Sequence, residues 1–150
     1  MLSSDKRDLI VSILNAANDL TIATLREDGY PQATAVSFVS DGLTIYFGTG
    51  AQAQKARNIA RDNRVSISIT DPYKAWNEIR GVSIGGRAVR LTDPNEMNKV
   101  GALMMTKFPQ IQQYVQFGEA MEMALFRIDA EVFSILDYSQ GFGHTELVSA

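Results

Sequence analysis

Two Asp-Gly pairs, Asp28-Gly29 and Asp41-Gly42, punctuate three stretches rich in Thr, Val, Ile and Phe, and they constrain the fold more than any other feature of the chain. Asp-Gly is a strong tight-turn signal, because glycine takes the positive φ such turns need and aspartate bonds its own turn backbone. Leu20 to Arg26, Gln32 to Ser40 and Leu43 to Gly48 are therefore expected to form three consecutive antiparallel strands. Pro31 suits the start of the second, where its missing N–H matters least. Val65 to Thr70 alternates apolar and polar residues without a fault, the pattern of a half-buried strand. Further strands are expected over Arg80 to Thr92, where Gly81, Gly85 and Gly86 mark bends or close approach, and over Ala124 to Asp137. In the last of these Phe126, Ile128, Ala130 and Val132 share one face, whereas Phe133 and Ile135 share the other. That phase change predicts a β-bulge near Val132-Phe133.

Between the strands lie helical patterns. Ser4 is placed to cap a first helix, with Asp5 at its positive end and Leu9, Ile10, Ile13, Leu14 and Ala17 on one face. A short helix is expected from Gln52 to Arg61, with Ala53, Ala56, Ile59 and Ala60 inside. Asp93-Pro94-Asn95-Glu96 reads as a capping box with proline at the first helical position, and Met97, Val100, Leu103 and Met104 form the stripe behind it. Pro109 interrupts, and a shorter helical piece is expected from Ile111 to Phe117. The tail from Tyr138 is Gly-rich and polar. Six strands and about four helices, with three strands joined by hairpins, argue against a doubly wound parallel sheet. They predict one mainly β domain over residues 1–150, an antiparallel β-barrel with flanking α-helices.

Composition narrows the chemistry. Fourteen basic against seventeen acidic side chains leave a net charge of −3, against nucleic acid as the main partner. The absence of cysteine removes disulfides, thiol nucleophiles and thiolate metal sites. His144 is the single histidine, so no histidine-cluster metal site is expected. Neither the N-terminal residues nor the longest apolar run, Ala102 to Met105, suits a signal peptide or a membrane span, so a cytoplasmic protein without a membrane partner is expected.

One segment carries a site pattern. From Thr49 to Arg57 a strand ends, Gly50 permits close approach, and a helix begins with free N–H groups, which favours an anion. Thr49 supplies a hydroxyl and Lys55 a charge, with Arg57, Arg61 and Arg64 nearby. The same spacing also suits an ordinary amphipathic helix with solvated basic residues. Trp76, in the loop Tyr73 to Glu78, is placed either to stack on a planar ligand or to anchor packing.

Four stretches, taken in order, resemble the pyridoxamine 5′-phosphate oxidase-like, FMN-binding split β-barrel family. They are Thr21 to Phe38, Leu43 to Thr49, Lys55 to Ile67 and Gly81 to Ala88. The resemblance spans roughly Leu9 to Leu136 and implies a homodimer with two flavins in grooves between subunits. It implies that Thr34, Ala35, Val36 and Ser37 lie beside the flavin ring, and that Thr49, Gln54 and Lys55 hold the phosphate. It places Trp76 and Arg80 where a strand approaches the flavin from the partner subunit. The implied activity is that of an FMN-dependent oxidoreductase working with a small-molecule electron donor and acceptor. Relatives on this scaffold that hold the deazaflavin F420 offer an alternative in which Arg57 or Arg61 meets extra phosphate charge. Relatives that bind haem through a C-terminal histidine offer another, with His144 on the iron. The chain also departs from the family's vitamin B6 oxidases. It has Thr34 where they carry an arginine, Ala53 and Gln54 where they carry a serine-arginine pair, and no C-terminal arginine motif. Two phosphate cations are thereby missing, and oxidation of pyridoxamine phosphate itself is not expected.

Overall fold

The computed structural model describes residues 2–113 and 122–150. Strands β1 (Asp19–Leu25), β2 (Pro31–Asp41) and β3 (Thr44–Gly50) form the expected meander, with Gly29 and Gly42 at positive φ in its two turns. Then follow β4 (Arg64–Thr70), β5 (Arg80–Arg90), β6 (Met123–Asp137) and β7 (Thr145–Ser149). Every pairing is antiparallel, in the order β3-β2-β1-β4-β5-β6-β7. A further pairing of β3 with β6 closes the first six strands into a barrel. Helices α1 (Ser4–Ala16), α2 (Gln54–Arg61) and α3 (Pro94–Lys107) flank it. No helix among the described residues is long and apolar enough to cross a membrane.

Alternation along each strand fills the interior. Ile22, Phe38, Ile45, Phe47, Ile67, Ile84 and Phe133 are fully buried there, and the Phe47 and Phe126 rings stack at 5.2 Å. Helix α1 adds Ile10, Ile13 and Leu14 to this core. A second, smaller core lies under α3, where Val39, Tyr46 and Leu91 meet Val100.

Strand β6 serves three partners. Phe126 to Asp137 pair with β5, Met123 to Ile128 pair with β3, and Val132 to Leu136 pair with β7. Between the two halves Gly85 faces Val132 but Gly86 faces Ala130, so Glu131 is the extra residue of a bulge. The bulge sits one residue before the expected position, and it accounts for the phase change by moving the buried face from Phe126 and Ile128 to Phe133 and Ile135. A Cβ on Gly86 would run into the Asp129 carbonyl, which is why glycine stands opposite the bulge.

Other expectations shift in detail. Ser3, not Ser4, caps α1, its hydroxyl accepting from Lys6 N at 3.4 Å. Asp93 caps α3 through Asn95 N at 3.1 Å, but Glu96 turns to Arg127 at 3.0 Å instead of completing a capping box. Helix α2 starts at Gln54, two residues later than expected, because Ala51 and Ala53 donate to Glu122 and Gly50 in the preceding turns. Its buried residues are Ala56, Asn58 and Ile59, with Ala60 outside, so its inner face is rotated toward Lys55 and Ile59. The Gly-rich, polar tail forms β7, a seventh strand beyond the six expected, half-buried in alternation, because the second half of β6 offers it an edge. The helical piece expected from Ile111 to Phe117 lies largely outside the described residues.

Candidate functional site

The barrel is open along one strand edge. Strand β3 pairs with β2 only from Phe38 to Asp41 before crossing to β6, so the earlier part of β2 has β1 on one side and, among the described residues, no strand on the other. Phe38 N donates to Asn18 O at 3.1 Å, which fixes the ladder's alternation. Thr34 and Val36 then direct their backbone polar groups at β1, while Ala33, Ala35 and Ser37 direct theirs at the open edge. An unpaired edge of this kind is normally paired or covered. Side chains alternate at right angles to this: Val36 is buried and Thr34 half-buried inside, whereas Ala35 and Ser37 are exposed. Small side chains at Ala33 and Ala35 leave the edge accessible.

Beside this edge β3 delivers Thr49, 8% exposed, into the turn that starts α2. The N-cap residue, Ala53, has no capping side chain, and among the described residues nothing accepts from the N–H groups of Gln54, Lys55 and Ala56. The first turn holds no carboxylate, unlike those of α1 and α3, which carry Asp5 and Glu96. It holds Lys55 and Arg57 instead, cations that the helix dipole disfavours there by about 0.3–1 kcal/mol each. Among the described residues neither enters an ion pair. Such a start is suited to an external anion.

A buried polar network joins helix and edge. Asn58 is completely buried; its Nδ2 donates to Thr24 Oγ1 on β1 at 3.0 Å and to Gln32 Oε1 on β2 at 3.4 Å. Its Oδ1 accepts from Gln54 Nε2 at 2.8 Å, and Gln54 Oε1 accepts from Arg57 Nη2 at 3.0 Å. The other basic residues of the segment are engaged elsewhere. Arg61 Nη2 donates to the Leu25 carbonyl at 2.6 Å. Arg64 pairs with Asp62 at 2.6 Å, and its hydrogen bonds hold that carboxyl down to about 2.

Trp76 and Arg80 lie elsewhere in the chain. Strand register puts Thr21, Ser68 and Ser83 at one level, with Thr24 and Arg80 displaced from it in opposite directions. At ~3.3 Å per residue the two are about 20 Å apart along the strands. Trp76 is 66% exposed and packs on Phe142, with ring centroids 5.7 Å apart, and Arg80 pairs with Asp71 at 3.0 Å. His144 lines a cavity of about 340 Å³ with Ser3, Lys6, Asp137 and Glu146. Its Nε2 lies 3.4 Å from Glu146 Oε1, while Lys6 holds the other oxygen at 3.0 Å. Lys6 is the main cause of the lowered pKa of Glu146. No group of three or more His, Asp or Glu residues suited to a metal ion occurs among the described residues.

Sequence reasoning missed Ala33, Gln32, Thr24 and Asn58. Only Asn58 carried a signal, as a polar residue next to the apolar positions of a short helix. The open edge depends on where β3 departs, which no local pattern encodes.

Comparison with known proteins places this geometry. A solved haem-binding protein from Mycobacterium smegmatis superposes with a TM-score of 0.79 at 20% identity, covering 98% of this chain and 58% of that one. The chain thus spans a little over half of that protein's length. A conserved hypothetical protein from Mycobacterium tuberculosis superposes with a TM-score of 0.77 at 25% identity, over 100% of this chain and 94% of that one. A pyridoxamine 5′-phosphate oxidase-like protein from Listeria innocua gives 0.69 at 23% identity, over 87% and 98%. No curated protein matches the sequence. The family model described as pyridoxamine 5′-phosphate oxidase matches residues 7–135, nearly the whole barrel, and the chain belongs to that family of split β-barrels.

Proposed function

We propose that the protein is an FMN-dependent oxidoreductase whose flavin lies in a groove completed by a second copy of the chain. The observation that carries this reading is the open β2 edge next to an uncapped, cationic helix start. The N–H and C=O groups of Ala33, Ala35 and Ser37 alternate in the manner needed to bond the polar edge of a flavin ring. The free N–H groups of Gln54, Lys55 and Ala56, with the Lys55 ammonium and the Thr49 hydroxyl, suit a phosphomonoester. When bound, FMN supplies hydride or electron transfer, so the protein needs no acid–base pair of its own. Val36 and Thr34 brace the edge from inside, and the barrel core keeps it rigid. Arg80, about 20 Å along the strands from Thr24, and Trp76, in the loop before it, would serve the site of a partner copy. A small-molecule electron donor and acceptor would reach the exposed face between copies.

Two other ligands fit less well. The deazaflavin F420 carries a longer phosphate-bearing tail, yet Arg61 and Arg64 are occupied by Leu25 and Asp62, leaving Lys55 and Arg57. Haem binding belongs to the mycobacterial neighbour by name. Here Nε2 of His144 is buried 3.4 Å from Glu146 Oε1, beside a carboxylate that Lys6 also holds.

The test is the ligand that accompanies the purified protein. A yellow protein that releases FMN on denaturation, identified by mass, is the expected result. Selective binding of F420, or a Soret band lost on His144→Ala, would overturn the reading.

A further inference from the structure

We infer that the seam between β3 and β7 is a second ligand site, one that takes an organic carboxylate with an apolar body. Both strands pair with the same edge of β6, the one away from β5, but β3 ends its pairing at Ile128 and β7 begins at Val132. The bulged stretch from Asp129 to Glu131 therefore has, among the described residues, no strand against it on that edge. The gap opens into a hollow of about 780 Å³, within the usual size of small-molecule sites. Leu2, Leu43, Ile128, Ala130 and Phe133 give it apolar walls. Ile128 and Phe133 belong to the buried core, whereas Ala130 is half-buried and too small to fill the space.

One cation stands at the rim. Arg7 reaches from α1 to the turn between β2 and β3 and sets Nη2 3.2 Å from where a Cβ on Gly42 would stand. Glycine at that turn thus leaves the guanidinium its place. Among the described residues Arg7 enters no ion pair. The carboxylate side chain on the hollow, Asp129, is already engaged, because Arg127 donates to its two oxygens at 2.7 and 3.3 Å. Apolar walls and one free guanidinium, whose planar fork matches a carboxylate, define the guest. A cation would be repelled, and a neutral guest would leave the charge at the rim without a partner. Thr44, on this hollow, and Thr49 lie at opposite ends of β3, about 16 Å apart, and the open β2 edge starts at the Thr49 end, so the flavin site is separate.

The experiment titrates the full chain calorimetrically with octanoate and with octanol, which has the same chain and no charge. Octanoate is expected to bind saturably, more tightly than octanol, and equally well with and without added FMN. Arg7→Gln is expected to weaken octanoate about tenfold, as for loss of a charge-assisted contact, and to leave octanol unchanged. Ala130→Leu, which fills the hollow, is expected to weaken both, with circular dichroism confirming the fold. If that variant does not fold, Arg7→Gln, at an exposed residue, decides alone. Absence of saturable octanoate binding overturns the inference, as does native-like octanoate binding by Arg7→Gln or by folded Ala130→Leu. Displacement of octanoate by FMN would put it in the flavin groove and overturn the inference as well, whereas failure of the flavin reading shows in FMN binding alone.

Discussion

Lys107, in the last turn of α3, sends its ammonium between Phe38 O at 2.9 Å and Ala17 O at 2.6 Å, and the same nitrogen lies 4.1 Å from the centre of the Phe38 ring. One side chain thereby joins α3, the end of α1 and the strand whose edge is open. Burial lowers its pKa from the ordinary 10.5.

Lys107→Met is predicted to destabilise the fold although methionine is the better hydrophobe. It leaves two carbonyls without their donor, a loss of about 1–3 kcal/mol. The pH dependence has a definite sign. A lysine whose folded pKa is depressed binds its proton less well in the fold than in the unfolded chain, so stability rises with pH between the folded value and 10.5. Chemical denaturation from neutral to alkaline pH should show that rise in the native protein and a flatter profile in the variant.

Gly86→Ala is predicted to cost about 1–3 kcal/mol through overpacking. The new Cβ meets the Asp129 carbonyl, a backbone atom with no rotamer to retreat into. A melting temperature equal to that of the native protein would refute the bulge geometry.

Deleting Glu131 tests the same bulge from the other strand. Without the extra residue, Gly86–Ala130 and Gly85–Val132 become consecutive pairs of a regular ladder, so Phe133 stays opposite Ile84 and shares one face with Phe126 and Ile128. A soluble, cooperatively folding protein is therefore expected from the deletion. Inserting one residue after Glu131 should instead turn Phe133 and Ile135 outward and abolish folding, and Glu131→Ala, which keeps the residue count, should behave nearly as the native chain.

Asp62 should titrate at about 2, held down by the Arg64 guanidinium. A depressed carboxyl adds stability above its unfolded pKa of 3.8 and loses it as the pH falls through about 2. Carbon-detected NMR of the carboxyl reads this directly, and an Asp62 value near the ordinary one would break the Arg64 pairing.

For function, Lys55→Gln is predicted to weaken FMN by about ten- to a hundredfold through loss of a charged phosphate contact, with riboflavin unaffected. Isothermal titration of both ligands makes the comparison.

Most of the barrel was legible because its signals are local. Asp-Gly turns, the alternation of Val65 to Thr70 and the phase change in the last long strand each act within a few residues. Strand β7 was not legible: Thr145 to Ser149 is short and polar and becomes a strand only because β6 is free to receive it. The anion site was half legible. Thr49, Gly50 and Lys55 follow from a strand-to-helix junction, but the inner face of α2 is set by packing against β1 and β3, which brought Asn58 inside and left Ala60 out.

The bulge at Glu131 also bears on how the molecule keeps to itself. Besides the open stretch of β2, a second rim would be free, because the second half of β6, with Val132, Phe133, Ile135 and Leu136, lies beyond β3. Left bare, that segment would be an apolar template for another chain's strand. Strand β7 occupies it and replaces it with a rim of five residues, among them Thr145, Glu146 and Ser149. The last strand of the fold thus works as a guard against fibre-like growth along the sheet, and shortening it should show first as aggregation on standing rather than as a lower melting temperature.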